Sequence, residues 1–333
     1  MNLYSRLCLV LSFVLSLINS TKVIEGDLIL YKTQFENSYG LDLLTYIFIN
    51  LKDPLYYLLN FLVFNFISDS FTIFLFINSF ISYSFLLLGI RNLAIFFKFS
   101  KRDILLVIFS TALFPLLFSF SAQILRQFIA ISVAIYFVSC LYKSNSNRSI
   151  NLSLLGLTIL LHSSNLIFLF FIGFLLFELN FKKKIKIIIS ITIVFLFVVN
   201  SIFLKLFSAG FTRINDLEGR VSLDELSLLS ITIISIMFLL ITYLFFKEKK
   251  GRGKYFIGGY IWLFFIFYFF YFQNNTELTT RLLPLIYAFW PFFIFYFFML
   301  KNTNIFFKIS FSFFIFVIFI INLFFGVYIY NIL

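Results

Sequence analysis

The chain has 333 residues, of which 62% are hydrophobic and 12% charged, with a formal net charge of +12. A soluble domain is about half apolar and a quarter charged, and surface grows too fast relative to core for a water-soluble fold of this length to hide so much Phe, Ile and Leu. The basic residues fall in short clusters between apolar runs, which argues for membrane orientation and against nucleic acid as a partner, while one histidine and two cysteines without CxxC spacing exclude a His-rich metal centre and a disulfide framework.

A helix needs about 20 mostly apolar residues to cross the hydrocarbon core. Such runs lie at 7–24, 71–90, 103–122, 124–142, 150–161, 164–180, 187–207, 227–246, 255–272, 283–300 and 309–329. They predict an all-α polytopic transmembrane bundle of about 11 spans (10–12), forming a single integral membrane domain over residues 1–333 with no soluble domain. The first run has signal-peptide features, with Arg6 before the apolar stretch and small residues ending at Ser20. Because the apolar stretch resumes at Val23–Ile24, an uncleaved first helix is expected. The run Pro54–Ile67 is too short to span, and it predicts a half-helix or re-entrant element near 54–67. Irregular backbone at membrane depth needs protein or a water-filled cavity around it. The short run 150–161 and the next, 164–180, predict a bent hairpin around His162.

Basic residues in the connections set the orientation. Arg91, Lys98, Lys101 and Arg102 form one cluster, Lys143 and Arg148 the next, then Lys182, Lys183, Lys184 and Lys186. Lys247, Lys249, Lys250, Arg252 and Lys254 follow, and Lys301 with Lys308 ends the series. Two crossings separate each cluster from the next, so all are expected on the cytoplasmic side. The acids, including Asp27, Asp53, Asp216 and Glu277, collect on the other.

Charged groups within apolar context are costly and mark function. Arg126 lies in Ser119-Phe-Ser-Ala-Gln-Ile-Leu-Arg-Gln-Phe-Ile-Ala130, and in a continuous helix Gln123, Arg126 and Gln127 share one face at its external end. A guanidinium fork suits phosphate, and the two glutamine amides suit hydroxyls. A snorkelling arginine would not call for two aligned glutamines. His162-Ser163-Ser164 interrupts an apolar run at the same level. The histidine is a proton acceptor near neutral pH, and the serines either orient it, bind substrate or cap the following helix. Asp27 and Tyr31 stand one helical turn apart, a carboxylate beside a ring, as sugar recognition uses. Arg281 follows Glu277 by four residues in an external polar strip. No carboxylate pair has metal-site spacing, so no metal and no cofactor are expected.

With these residues in view, the chain resembles the EpsG-type branch of the Wzy-like polysaccharide polymerases. The matching elements are, in order, Asp27-x3-Tyr31-x3-Phe35, Asp53-Pro54-Leu-Tyr-Tyr-Leu-Leu-Asn60, Leu125-Arg126-Gln127-x2-Ala130, Leu161-His162-Ser163-Ser164-x-Leu166 and Thr280-Arg281. Their order over nearly the whole chain is more specific than any one of them. The family more often has Glu-Pro than Asp53-Pro54, a departure that keeps the carboxylate.

The resemblance implies a membrane glycosyltransferase of the bacterial inner (cytoplasmic) membrane, working at the periplasmic or outer face. Its expected substrates are undecaprenyl-diphosphate-linked oligosaccharides, as donor and acceptor, among membrane lipids and with a chain-length regulator as a protein partner. On this reading the catalytic residues are Arg126, His162 and Asp27, with Tyr31, Asp53, Gln123, Gln127, Ser163, Ser164, Glu277 and Arg281 binding substrate. The base is one of His162, Asp27 and Asp53. Two alternatives use related substrates. An O-antigen ligase should carry a long periplasmic loop, whereas the longest external stretches here are 25–53 and 209–226. A lipid-linked oligosaccharide flippase should show related halves and mid-membrane charges, whereas the polar groups here gather at the outer level.

Overall fold

The computed structural model describes residues 3–24, 26–50, 53–142, 150–151, 154–155, 158–162, 228–248, 252–272 and 276–325. The expected spans 164–180 and 187–207, with Ser163 and Ser164, lie outside these residues. The helices are α1 Leu3–Ser20, α2 Asp27–Glu36, α3 Leu43–Ile49, α4 Pro54–Phe66, α5 Phe71–Phe96, α6 Lys101–Ala112, α7 Pro115–Gln123, α8 Leu125–Tyr142, α9 Leu228–Lys247, α10 Arg252–Phe272, α11 Thr276–Ala288, α12 Trp290–Leu300 and α13 Ile305–Phe325. A 3-10 turn, Thr158–Leu160, lies between α8 and α9.

The architecture is the all-α polytopic bundle that the sequence predicts. Among the described residues, six helices are long and apolar enough to cross a membrane, or up to seven when a bent pair counts as one span. The six are α1, α5, α8, α10, the α11–α12 stretch Arg281–Leu300, and α13. The pair α6–α7 bends by 50°, and the sequence explains where. Proline forces the residue before it out of the helical region, and Phe114, ahead of Pro115, has φ −69° and ψ 115°. The run at 150–161 ends in the 3-10 turn. Helix α4 has 13 residues, about 20 Å at 1.5 Å per residue, against about 30 Å of hydrocarbon. It is too short to span the hydrocarbon by itself, as the sequence suggests.

Lipid tails are as apolar as leucine, so helices associate in membranes through close packing and hydrogen bonds. The bundle centres on α5, which packs along α1 on one side and α8 on the other. Gly89 permits the α5–α8 crossing: a Cβ there would stand 3.0 Å from Ile135 Cγ2 and 3.1 Å from the Tyr136 backbone. Polar links run between helices. Asn19 donates to Ser121 Oγ at 2.8 Å, and Tyr83 meets the same hydroxyl at 2.8 Å. Ser110 and Ser312 are 2.9 Å apart. Lys308 donates to Asp103 at 2.8 Å, with both side chains buried.

Several basic residues gather at one end. The Lys247 and Lys301 ammonium groups both lie over the Tyr243 ring, at 5.8 and 5.3 Å, and Lys254 lies over Phe245 at 4.7 Å. Phe97, at the close of α5, packs on Phe256, Phe292 and Tyr296 and so joins that end to α10 and α12. Since α5, α9 and α12 finish there and α6, α10 and α13 begin there, the α7–α8 junction falls at the opposite end.

At that opposite end the apolar interior divides in two. The main core runs through the bundle from Cys8 to Phe319. A second core, rich in aromatic rings, joins α2, α3 and α4 to the first turns of α5 and α8 through Tyr31, Phe35, Tyr46, Tyr56, Phe74 and Leu125, among others. Phe35 stacks on Phe74 at 4.9 Å and meets Phe64 edge-on at 5.2 Å. Such pairs each add about 0.5–1.5 kcal/mol beyond burial.

Candidate functional site

Asp53 occupies the N-cap position of α4, where an aspartate ordinarily accepts hydrogen bonds from the first turn. Here its side chain makes no capping hydrogen bond, with φ −137° and ψ 62°. Pro54, the first helical residue, has a preset φ and no N–H to satisfy. Asp53 Oδ2 instead accepts from Arg126 Nη1 at 3.0 Å. The carboxylate is fully buried, whereas the guanidinium keeps 19% exposure.

Tyr57 lies one turn beyond Asp53 on the same face of α4, and its hydroxyl accepts from the same Nη1 at 3.2 Å. Arg126 therefore uses Nη1 for both partners. Its Nε, also buried, makes no hydrogen bond. The guanidinium carbon lies 5.4 Å from the Tyr31 ring centroid and 5.9 Å from that of Tyr57, within cation–π range. A charge of this kind in an apolar setting needs its partner, and the carboxylate and two phenol rings supply the surroundings it requires.

Further tyrosines extend the group. Tyr56 meets Tyr31 edge-on at 6.2 Å and Tyr57 at 5.6 Å, and Tyr46 meets Tyr57 at 5.9 Å. The Tyr46 hydroxyl donates to the Gln34 carbonyl at 2.7 Å. Burial pushes the Tyr31 and Tyr57 phenols up, the nearby Arg126 charge opposing it, and burial pushes Tyr46 up to about 12. All three hold their protons at neutral pH and present O–H groups that both donate and accept.

Ile124, with φ −111° and ψ 63°, separates α7 from α8, so one expectation is corrected. Gln123 ends one helix and Arg126 stands in the first turn of the next, and the two do not share a continuous helical face. The Gln123 side chain lies outside the described residues. Gln127 is buried and donates its amide to the Arg281 carbonyl, bringing α11 against the start of α8. Glu277 lies in α11 one turn before Arg281, and its side chain is outside the described residues. Asp27 opens α2 and stands exposed one turn before Tyr31. His162 is 7% exposed. Its N–H bonds the Thr158 carbonyl at 3.3 Å, and the turn before it packs on α4 and α8, with Leu161 against the aromatic core. Among the described residues, no three His, Cys, Asp or Glu side chains group as a metal site.

The structure thus joins Tyr31, Asp53 and Arg126 directly, ties Gln127 to Arg281 beside them, and sets His162 on the same two helices. Sequence reasoning did not single out Tyr57, Tyr56 or Tyr46. Tyr57 left a signal, since it follows Asp53 by four residues and so shares its helical face.

The family model described as the EpsG family matches residues 5–332. No curated protein and no solved structure matches the chain.

Proposed function

Because the chain belongs to the EpsG family, whose members have a polysaccharide-polymerase-like function, we propose that it joins undecaprenyl-diphosphate-linked oligosaccharide repeats. On this reading the basic end of the bundle faces the cytoplasm, following the charge bias of membrane proteins, and the Arg126 end faces the outer side of the bacterial inner membrane. Products of this class are O-antigen, capsule or exopolysaccharide chains.

The observation that carries the proposal is the state of Arg126. It is held through Nη1 by Asp53 and Tyr57, and Asp53 does not engage the edge formed by Nε and Nη2. That edge matches two phosphate oxygens. In the reaction, the bond between the donor's anomeric carbon and its phosphate oxygen breaks. The acceptor sugar's hydroxyl oxygen forms the new glycosidic bond, and its proton passes to a base. Undecaprenyl diphosphate departs with the electron pair. A preorganised guanidinium at the departing oxygens stabilises the charge as it develops, an effect worth about 2.7–4 kcal/mol for one donor in a comparable setting. On this reading Arg281 adds a second cation and the Tyr31 ring packs against a sugar face. The proton goes to one of His162, Asp27 and Asp53.

The test is complementation of a strain lacking the gene with Arg126→Ala, separating surface polysaccharide by length and measuring protein abundance. The proposal expects the ladder of lengths to collapse to a single repeat at normal abundance. An intact ladder would remove Arg126 from the mechanism. Loss of even a single repeat in the deletion strain would point to a flippase or ligase.

A further inference from the structure

Asp53 combines three features that do not belong together in an ordinary helix cap or in a general base. It sits at an N-cap position yet makes no capping hydrogen bond. It is 0% exposed, and Tyr56 and Tyr57 of the turn that follows it belong to the buried aromatic core. Its Oδ2 is committed to Arg126 Nη1 at 3.0 Å. An arginine side chain has several rotatable bonds, and nothing in a helix's first turn fixes where its fork points. A carboxylate on one Nη atom does so, and Tyr57, accepting from the same Nη1 at 3.2 Å, occupies its second hydrogen. The ring of Tyr31 at 5.4 Å closes one side of the plane.

We propose that Asp53 is a positioning residue that fixes the Arg126 guanidinium with its Nε–Nη2 edge toward the substrate diphosphate, and that it takes no proton from the acceptor sugar. This rests on the polymerase reading above and narrows it, since it leaves His162 and Asp27 as the bases. The α4 helix then acts as a mount. Pro54 gives its first residue a preset backbone, and Asp53 and Tyr57, one turn apart, grip the same nitrogen.

The sign of one measurement separates positioning from plain electrostatics. If Asp53 acted on the substrate only through its charge, removing that charge would strengthen the binding of an anion. If it orients Arg126, removing it weakens binding, since a misdirected group in a preorganised site costs up to about 100-fold. The experiment measures the affinity of purified, full-length protein in lipid nanodiscs for undecaprenyl diphosphate. The variants are Asp53→Asn, Asp53→Glu, Arg126→Gln and the Asp53→Asn/Arg126→Gln pair, with the pH profile of chain growth recorded for those that retain activity.

The expected result is binding about 10- to 100-fold weaker for Asp53→Asn, partial recovery in Asp53→Glu, and no further loss when Asp53→Asn is added to Arg126→Gln. The pH profile of the residual activity keeps its midpoint. Should Asp53→Asn fail to accumulate because the guanidinium is left unpaired, the double variant, which lacks both charges, accumulates and Asp53→Glu supplies the comparison. Tighter or unchanged binding in Asp53→Asn would overturn the inference, as would losses that multiply in the double variant or a shifted pH midpoint. The polymerase reading fails on a different result: Arg126→Gln binding undecaprenyl diphosphate as well as the parent protein.

Discussion

The buried amide of Gln127 donates to the backbone carbonyl of Arg281, across 154 residues of sequence. One bond therefore links the residue after Arg126 to Arg281, and it does so through the Arg281 main chain. The helix that begins the α8 crossing and the helix that begins the α11–α12 crossing meet at their first turns.

Replacing Gln127 with Leu removes that donor, and a typical hydrogen bond contributes about 0.5–1.5 kcal/mol. We expect polymer chains to shorten at near-normal protein abundance, because Arg281 loses its registration against Arg126. Length distributions on a gel, normalised to protein level, check this. A full-length ladder in Gln127→Leu would show that the link is dispensable.

Tyr57→Phe deletes one acceptor on Arg126 Nη1 and retains the ring. A single net hydrogen bond to a charged group is worth about 1.5–3 kcal/mol, so chain growth in vitro should slow by roughly one to two orders of magnitude. The aromatic contacts with Tyr46 and Tyr56 should keep the fold, as a thermal melt in detergent would show. An unchanged rate would mean that Asp53 alone holds the guanidinium.

Lys308 and Asp103 form an ion pair with side-chain exposures of 9% and 5% at the basic end, where Ser100 also donates to Asp103 at 2.9 Å. Breaking a buried pair from one side costs about 3–5 kcal/mol. Lys308→Met should therefore lower the melting temperature sharply, and Asp103→Asn in addition should restore much of it. Equal stability of Lys308→Met and the parent would show that water or headgroups screen the pair.

Gly89→Leu tests the helix crossing. Its side chain would meet Ile135 Cγ2 and the Tyr136 backbone, which a bare Cβ already approaches to 3.0 and 3.1 Å. Overpacking of this kind costs about 1–3 kcal/mol or more. The variant should give less folded protein by size-exclusion profile, with Gly89→Ala between it and the parent.

Lys22, just beyond α1, places its ammonium 4.2 Å above the Phe118 ring, and burial lowers its pKa to about 8. Between pH 8 and 10.5 the unfolded chain would hold a proton that the folded one sheds, so this residue's contribution makes stability rise with pH across that window. Acylation followed by mass spectrometry should show the reactivity of Lys22 climbing with a midpoint near 8. A midpoint near the ordinary lysine value of 10.5 would contradict the burial.

Much of the fold was legible because apolar length is a direct physical requirement for crossing a bilayer. The partial helix at 54–67 was readable for the same reason, in reverse. Arg126 stood out because charge amid Phe and Leu has few explanations, whereas Asp53 entered through the motif that carries the family resemblance. The break at Ile124 was not legible: apolar residues surround it, and neither Gly nor Pro marks it. The pairing of Asp53 with Arg126 was hidden by their separation of 73 residues, and in a sequence where tyrosine occurs 18 times the four-residue step from Asp53 to Tyr57 carried little weight by itself. Such contacts arise from how α4 lies against α8, which local spacing does not encode.

The division of the interior into two cores insulates one from the other. Among the described residues, Phe137 packs on both, while the tyrosines around Arg126 belong to the smaller core alone. Changes to the aromatic lining can then accumulate during divergence without disturbing how the bundle assembles in the bilayer. On the polymerase reading, a lineage can retune which sugar it accepts by altering α2, α3 and α4 while inheriting its membrane scaffold unchanged.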